Sequence, residues 1–200
     1  MSLPLQIGIT GGIGSGKSLV CKVFHSMGAP VYDADSRAKN LMTTDGILME
    51  QIRKEFGNLA YHSDGALNRK HIGEAAFRDP ARLEKLNALV HPRVAADYSR
   101  WVSEQSYAYV LKEAALLFES GSYRGLDKVI VVTAPENIRV ARVLKRDSGR
   151  TEEMIHDIMK NQMQEEEKVR KADYLIINDE TKLVIPQVVE LHQRFISKEL

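Results

Sequence analysis

The chain has 200 residues, a length suited to one domain or to one domain with an insertion, so two full independent domains are not expected. Its 28 Lys and Arg balance 27 Asp and Glu almost evenly, which argues against nucleic acid or an anionic membrane surface as partner. Cys21 is the single cysteine, which excludes an intrachain disulfide and a cysteine-based zinc site, and we expect it to be buried. No apolar run approaches the roughly 20 residues of a membrane span, and we therefore expect a cytoplasmic protein.

Five short apolar runs rich in β-branched residues predict strands, and their near-continuous hydrophobicity is typical of a buried parallel sheet. The predicted strands are Leu5–Thr10, Pro30–Asp33, Ala108–Lys112, Lys128–Thr133 and Tyr174–Asn178. The helices predicted around them from their periodicity are Lys17–Met27, Pro135–Arg146, Glu152–Gln164 and Lys182–Ile196. This alternation predicts a single α/β domain over residues 1–200, with a five-stranded parallel sheet flanked by helices.

One long stretch, residues 34–107, contains no convincing strand but has helical segments such as Gly46–Phe56 and Pro80–Tyr98. Glycines that favour turns separate these segments. We therefore expect a mostly helical insertion within the α/β domain. Further along the chain, the acidic run Glu165–Glu167 indicates only a solvated helix face.

The segment Gly11–Ser18 fits the phosphate-binding pattern G-x-x-x-x-G-K-[ST], and it lies between a predicted strand and a predicted helix. Its glycines let backbone N–H groups turn toward a polyphosphate, and the following helix adds its positive N-terminal dipole. Lys17 places a charge near the β- and γ-phosphates, while the Ser18 hydroxyl suits a Mg²⁺ ion that bridges them. ATP with magnesium is therefore the expected ligand, since a chance match would arise in only about one chain in a hundred. The residues of this loop expected to bind ATP are Gly12, Ile13, Gly14, Ser15, Gly16, Lys17 and Ser18.

The loop alone does not separate kinases from GTPases, ATPases and nucleotide-dependent regulators. A GTPase would carry Asn-Lys-x-Asp and Asp-x-x-Gly motifs downstream, and neither occurs in this sequence. A protein that merely senses nucleotide would need no acceptor base and no arginine-bearing lid. The residues outside the loop must therefore distinguish a kinase from a sensor.

Two carboxylates, Asp33 at the end of the second predicted strand and Asp35 just after it, lie at the edge where open α/β sheets bind their ligands. A carboxylate there can accept the proton that an attacking hydroxyl loses during phosphoryl transfer. An Asp is equally well suited to cap the next helix, so spacing alone does not choose between catalysis and capping.

Four arginines, Arg139, Arg142, Arg146 and Arg150, lie at the end of a predicted helix and in the turn after it. Arg142 and Arg146 share one helix face at a spacing of i, i+4. Guanidinium groups on a mobile segment suit a lid that closes over ATP and neutralises the transferring phosphoryl group. A solvated basic helix end, favoured by the helix dipole, explains the same cluster equally well.

Together these motifs resemble the dephospho-coenzyme A kinase family over nearly the whole chain. The residues that carry the resemblance are Thr10–Ser18, Asp33-Ala34-Asp35, Arg69, His91-Pro92, Leu116-Leu117-Phe118-Glu119, Arg142, Arg146-Asp147, Gln162 and Ala172-Asp173-Tyr174. The first two groups are highly specific, whereas His-Pro or Ala-Asp-Tyr alone would mean little.

The resemblance implies a P-loop kinase core that transfers the γ-phosphoryl group of ATP to the ribose 3′-hydroxyl of dephospho-coenzyme A, the last step of coenzyme A synthesis. The catalytic residues that it implies are Asp35 as the base, Lys17 and Arg146. It adds Leu19 and Arg142 to the residues that bind ATP, and assigns the metal to Ser18. The substrate contacts that it implies are Asp33, Arg69 and His91, with residues 34–107 holding the substrate and residues 142–165 forming the lid.

Three positions depart from the family pattern: Ala115 replaces the usual Pro, Glu113 the frequent Asp, and Leu19 the common Thr. We assign Glu113 no metal role and expect Leu19 to change the affinity for ATP modestly. From the residues alone, His91 is better explained as a helix-end histidine beside a proline turn. The alternative activity is that of another small P-loop kinase, acting on a nucleoside monophosphate or small metabolite. The sequence leaves the oligomeric state unknown.

Overall fold

The computed structural model describes residues 3–198, without the side chains of residues 76–78 and 80, and the chain divides into two compact units. The first unit runs up to Asp33 and resumes at Gln105. The second unit is the intervening segment, Ala34–Glu104. None of the helices in the described part of the chain combines the length and apolar character needed to cross a membrane.

The sheet lies entirely within the first unit. Its strands are β1 (Leu5–Thr10), β2 (Val31–Asp33), β3 (Tyr109–Glu113), β4 (Lys128–Thr133) and β5 (Tyr174–Ile177). The strand order is β2-β3-β1-β4-β5, and every neighbouring pair is parallel. The predicted five-stranded parallel sheet is therefore confirmed. Because β1 is the central strand, the loop that follows it emerges in the middle of the sheet's carboxyl edge.

The helices of the described range follow in chain order. They are α1 (Lys17–Ser26), α2 (Ala34–Thr44), α3 (Gly46–Phe56), α4 (Arg69–Arg78), α5 (Pro80–Ser103), α6 (Glu136–Arg146), α7 (Glu152–Lys160), α8 (Glu165–Lys171) and α9 (Val184–Ser197), with 3₁₀ turns at Asn58–Ala60 and Ser122–Gly125. The prediction that the helix beginning at Glu152 continues to Gln164 was wrong, because α7 ends at Lys160. The chain leaves the helix there because Gln162 and Met163 bond to the body of the first unit instead of continuing the helix.

One face of the sheet packs against α1 and α9 in a continuous apolar core. Its buried residues include Ile7, Ile9, Tyr109, Leu111, Ile130, Val132 and Ile176 from the strands, with Val20 and Phe24 of α1 and Val188 and Phe195 of α9. Fully burying an Ile, Val or Phe side chain contributes about 1.5–3 kcal/mol. This core therefore fixes the carboxyl ends of the strands, from which the functional residues extend.

The other face of β1 accepts the segment that follows β3. A Cβ atom on Gly8 would stand 2.7 Å from Leu117 Cδ2 and 2.7 Å from Leu126 Cδ1, so any other residue there would force these leucine side chains to shift. Leu117 and Phe118 are buried. These two side chains anchor the turn that carries Glu119.

The second unit consists of α2 to α5 and the 3₁₀ turn at Asn58–Ala60. Its described residues contain no strand, only an isolated antiparallel bridge between Tyr61 and Leu67. Arg37 of α2 forms a bidentate ion pair with the buried Asp97 of α5, at 2.8 and 3.1 Å. This pair and a buried apolar face of α3 join the helices of the unit.

Candidate active site

The segment between β1 and α1 has the conformation that its glycines predict. Gly14 and Gly16 adopt positive φ angles of 80° and 98°. A side chain on Gly14 would collide with the carbonyl of Arg139, and one on Gly16 with the amide of Asn178. Glycine is therefore required at both positions by backbone conformation and by space.

Two side chains from later in the chain hold this loop. Ile13 N–H donates to Gln162 Oε1 at 2.9 Å, and Asn178 Nδ2 donates to the carbonyl of Ser15 at 2.8 Å. Arg142 in turn donates to the Asn178 carbonyl at 3.0 Å. The sequence analysis gave Asn178 no role in the site, although its place at the end of the last predicted strand, at the carboxyl edge of the sheet, was a usable signal.

The loop's lysine and serine contact oxygen atoms at the carboxyl edge of the sheet. Lys17 Nζ donates to the carbonyl of Gly11 at 3.0 Å, and Ser18 Oγ donates to Glu113 Oε1 at 2.9 Å. Glu113 ends β3 and pairs in register with Asp33, which ends β2. The sequence assigned Glu113 no metal role, yet the structure places its carboxylate against Ser18, the residue expected to bind magnesium.

The only cysteine lies close to this edge. Cys21 is 4% exposed, as expected from the sequence. Burial raises the pKa of its thiol well above the usual range, and the neighbouring Glu113 carboxylate raises it further. The thiol therefore stays protonated and has a packing role.

Arg142 and Arg146 of α6 share a cavity of about 210 Å³ with the loop. The other residues that line it are Gly14, Gly16, Lys17, Ser18, Leu19 and Val143. Arg146 also forms a bidentate ion pair with Asp147, at 2.8 and 3.0 Å, and this hydrogen bonding lowers the pKa of the Asp147 carboxyl. The i, i+4 spacing thus aims two of the four arginines at one cavity, whereas Arg139 and Arg150 do not line it.

Arg139 is instead buried beside Gly12, so close that a Cβ atom on Gly12 would collide with its guanidinium group. Its Nη1 lies 3.9 Å from Glu165 Oε2, and the Glu165 side chain is only 19% exposed. The expectation that the whole run from Glu165 to Glu167 is a solvated helix face was therefore wrong at Glu165. The buried guanidinium group supplies the reason, because it needs a nearby negative charge.

Three of the predicted site residues lie in the second unit. Asp35 is exposed in the first turn of α2, where the helix dipole favours a carboxylate. Arg69 is the exposed first residue of α4, directly after its N-cap Asn68. His91 is exposed in the interior of α5 and precedes Pro92, so it does not lie at a helix end.

Within residues 3–198 no group of three or more His, Cys, Asp or Glu side chains could hold a metal ion on its own. The oxygen atoms available beside the loop are those of Ser18 and Glu113, with Asp33 on the adjacent strand. Such hard oxygen ligands suit Mg²⁺, which usually takes one or two carboxylates and completes its shell with phosphates and water. The residues present therefore fit a magnesium ion that arrives with a nucleotide.

The chain is similar to known proteins both in sequence and in structure. The family model for dephospho-CoA kinase matches residues 5–183. A curated dephospho-CoA kinase from Bacteroides fragilis is 36% identical over 190 residues, covering 94% of this chain and 92% of that protein. Among solved structures, a Thermus thermophilus protein has a TM-score of 0.84 at 33% identity, covering 100% of this chain and 99% of its own. A dephospho-CoA kinase from Campylobacter jejuni has a TM-score of 0.71 at 26% identity, covering 98% of both chains.

The parallel sheet, the loop after its central strand and the arginines facing that loop define a P-loop kinase. This class agrees with the fold predicted from the sequence. The chain belongs to the dephospho-CoA kinase family, whose members use ATP to phosphorylate dephospho-CoA in coenzyme A biosynthesis.

Proposed function

We propose that this chain transfers the γ-phosphoryl group of ATP to the ribose 3′-hydroxyl of dephospho-coenzyme A, giving coenzyme A. The observation that carries the proposal is the cavity that Lys17 and Ser18 share with Arg142 and Arg146. It brings backbone amides, an ammonium group and two guanidinium groups to one place, which is what a polyphosphate requires.

In this proposal the residues from Gly12 to Leu19, with Arg142, bind ATP. Lys17 and Arg146 are assigned to the β- and γ-phosphates, where charge shifts during transfer. Arg142 lies nearer the start of α6 and is held by Asn178, so it is assigned to the nucleotide rather than to the transferring group. The Arg146 side chain is 64% exposed and forms its ion pair with the neighbouring Asp147 at the surface, so it can turn to the phosphoryl group at low cost.

We assign the magnesium ion to Ser18, with Glu113 as the carboxylate beside it. The hydroxyl–carboxylate contact of 2.9 Å is what supports this assignment. When bound, the ion neutralises charge on the β- and γ-phosphates. Glu113 then fixes the orientation of the Ser18 hydroxyl, in the way that outer ligands orient inner ones.

The acceptor is assigned to residues on either side of the end of β2. Asp35 is the proposed base, and Asp33, Arg69 and His91 are the proposed substrate contacts. Support comes from the position of Asp33 at the end of β2 and of Asp35 just after it, and from the family resemblance at all four residues. The helical segment 34–107 is the proposed holder of the substrate, residues 142–165 are the proposed lid, and the cytoplasm, which supplies ATP, is the proposed location.

A substrate panel tests this assignment. Turnover is measured with ATP and magnesium against dephospho-coenzyme A, AMP, CMP and shikimate, and the phosphorylated product is identified directly. We expect dephospho-coenzyme A to react fastest and its new phosphate to lie on the ribose 3′-oxygen. AMP should react poorly, because the pantetheine arm supplies binding energy that orients the hydroxyl. Faster formation of ADP from AMP would leave only the generic kinase assignment.

A further inference from the structure

A lysine side chain is fully buried in the first unit, outside the proposed ATP site. Lys168 of α8 is 0% exposed, and its Nζ lies 3.3 Å from Glu119 Oε1. At this distance the two groups form an ion pair, but Nζ makes no well-directed hydrogen bond within the described residues. A buried ammonium group loses its hydration and is costly to keep, so packing alone would be served better by Met or Leu.

The partner carboxylate makes a second contact. Glu119 Oε1 also accepts the backbone N–H of Met163 at 2.7 Å. The turn that carries Glu119 is anchored by the buried Leu117 and Phe118. One carboxylate oxygen thus joins this turn, which follows β3, both to α8 and to the segment just before α8.

That segment contacts the phosphate-binding loop directly. Gln162, the residue before Met163, accepts the N–H of Ile13 at 2.9 Å. Glu165, three residues before Lys168, faces the Arg139 guanidinium group that packs against Gly12. A displacement of residues 162–168 would therefore be transmitted to both Gly12 and Ile13 of the loop.

We propose that Glu119 and Lys168 are positioning residues for phosphoryl transfer, which hold Gln162 against Ile13 and so set the position of the loop that binds the phosphates. Neither side chain lines the cavity that the loop shares with Arg142 and Arg146. Both act through Met163 and Gln162. The proposal rests on the proposed function, since it is the kinase reaction that registers a displaced loop.

A purely stabilising role makes a different prediction. A buried ion pair contributes little to stability compared with a well-packed apolar pair, whereas removing one partner leaves an uncompensated buried charge. Loop position affects the rate separately, because a displacement of about 1 Å near reacting groups reduces turnover by roughly 100-fold. Stability and turnover therefore need to be measured on a variant that removes both charges together.

The test uses the double variant Glu119→Met with Lys168→Met, which removes both charges and the oxygen that accepts from Met163, keeps side chains of similar size, and leaves no unpaired charge. The matched control is Lys171→Met, which removes a surface pair with Glu167 at 3.7 Å on the same helix. Lys168→Arg, which keeps the charge, tests rescue. The measurements are kcat and KM for ATP at a temperature far below the melting temperature of each variant, the melting temperature itself, and the NMR chemical shift of the Ile13 amide.

We expect the double variant to melt near the native protein, to lose kcat by roughly 10- to 100-fold and to shift the Ile13 amide resonance. Lys168→Arg should recover part of kcat, and Lys171→Met should match the native protein in every measurement. A folded double variant with kcat within twofold of native overturns the proposal, and so does an unshifted Ile13 resonance.

Should the double variant fail to fold, Gln162→Met provides the same test at the loop contact itself. It should fold, lose kcat and shift the Ile13 resonance, and native kcat in this variant overturns the proposal. The native protein is assayed alongside with dephospho-coenzyme A. If the native protein phosphorylates dephospho-coenzyme A and the variants do so at the native rate, only the positioning role is refuted. If the native protein does not phosphorylate the 3′-oxygen, the proposed function is refuted.

Discussion

The two ends of the proposed lid are held to the protein in different ways. At the first end, Arg146 and Arg150 both pair with Asp147, and these arginine side chains are 64% and 39% exposed. At the second end, residues 162–168 bond to the phosphate-binding loop and to Glu119, and the ion pair with Glu119 is made by the fully buried Lys168. Exposed ion pairs are worth only about 0–1 kcal/mol, so the first end can exchange its partners, whereas the second serves as a fixed frame.

Helix α7, which lies between these two ends in the chain, packs on α6 through apolar side chains. Ile155 of α7 is fully buried against Val140 and Val143 of α6, with Ile13 and Met159 packed beside them. This small cluster links α7 to the helix that carries the arginines. Both ends of the proposed lid are rich in charged side chains, but the arginines of the first end are exposed and Lys168 of the second end is buried. The number of charges therefore does not tell which end can exchange its partners; their exposure does.

The largest effect on turnover is expected from a substitution of Lys17. Its ammonium group now donates to the Gly11 carbonyl of the phosphate-binding loop and can turn from it to the phosphates. Lys17→Ala should reduce transfer below detection, a loss of at least about 10³-fold, because the charge stabilises the phosphates most strongly in the transition state. The melting temperature should stay near that of the native protein. Turnover is measured by product formation, and near-normal turnover would refute the assignment of the loop.

A variant at Asp35 tests the phosphoryl-transfer step apart from ATP binding, since Asp35 lies outside both ends of the proposed lid. Asp35→Asn is nearly isosteric, and we expect it to lower turnover by roughly 10²–10⁴-fold with little change in ATP binding. Single-turnover kinetics and calorimetric titration with an ATP analogue measure the two quantities. A loss of stability without this selective loss of rate would favour a structural role in the first turn of α2.

Arg146 tests the exchangeable end directly. Arg146→Ala should lower kcat by about 10- to 100-fold and weaken ATP binding less, since only interactions that strengthen in the transition state accelerate the reaction. The matched variant Asp147→Asn removes the same surface ion pair but keeps the arginine. It should leave kcat within about twofold of native. Equal losses of kcat and ATP affinity in Arg146→Ala would make Arg146 a binding residue only.

The smallest effect concerns a partly buried contact between Tyr109 and His192, outside the proposed lid. His192 Nδ1 lies 2.6 Å from the Tyr109 hydroxyl, and burial lowers the pKa of the histidine. Because the folded-state pKa lies below that of the unfolded chain, this contribution to stability is complete above about pH 6.5 and is lost as the pH falls through the folded-state pKa.

The melting temperature of the native protein should therefore fall between pH 7.5 and pH 5.5 more than that of His192→Gln, measured by circular dichroism in the same buffers. The kcat of His192→Gln at pH 7.5 should equal the native value, in contrast to the variants at Arg146. Parallel pH profiles for the two proteins would exclude His192 as a source of the slope.

Much of the fold follows from local patterns. The strands are short β-branched runs, and the loop is recognisable because its glycines are required by its own backbone conformation. The residues that support the loop could not be predicted in this way. Asn178 meets Ser15 across 163 positions, and Ser18 meets Glu113 across 95, so no local periodicity reports either contact. The end of α7 at Lys160 was missed for the same reason, because the contacts of Gln162 and Met163 are tertiary.

The proposed substrate residues have a different basis. Spacing left catalysis and capping open for Asp35, and it gave no role to Arg69, whose assignment comes from resemblance alone. Phosphate recognition needs a fixed backbone shape that a motif can specify. Recognition of an acceptor depends on side chains scattered along a helical segment, and no single spacing describes it.

A crystal structure with magnesium and a non-hydrolysable ATP analogue tests the division between the two ends most directly. The account predicts that Arg146 turns from Asp147 to the nucleotide, while Arg142 contacts the nucleotide and keeps its bond to the Asn178 carbonyl. The Gln162–Ile13 hydrogen bond and the Glu119–Lys168 pair should keep their present geometry. An Arg146 that stays paired with Asp147 while residues 162–168 move away from the loop would contradict it.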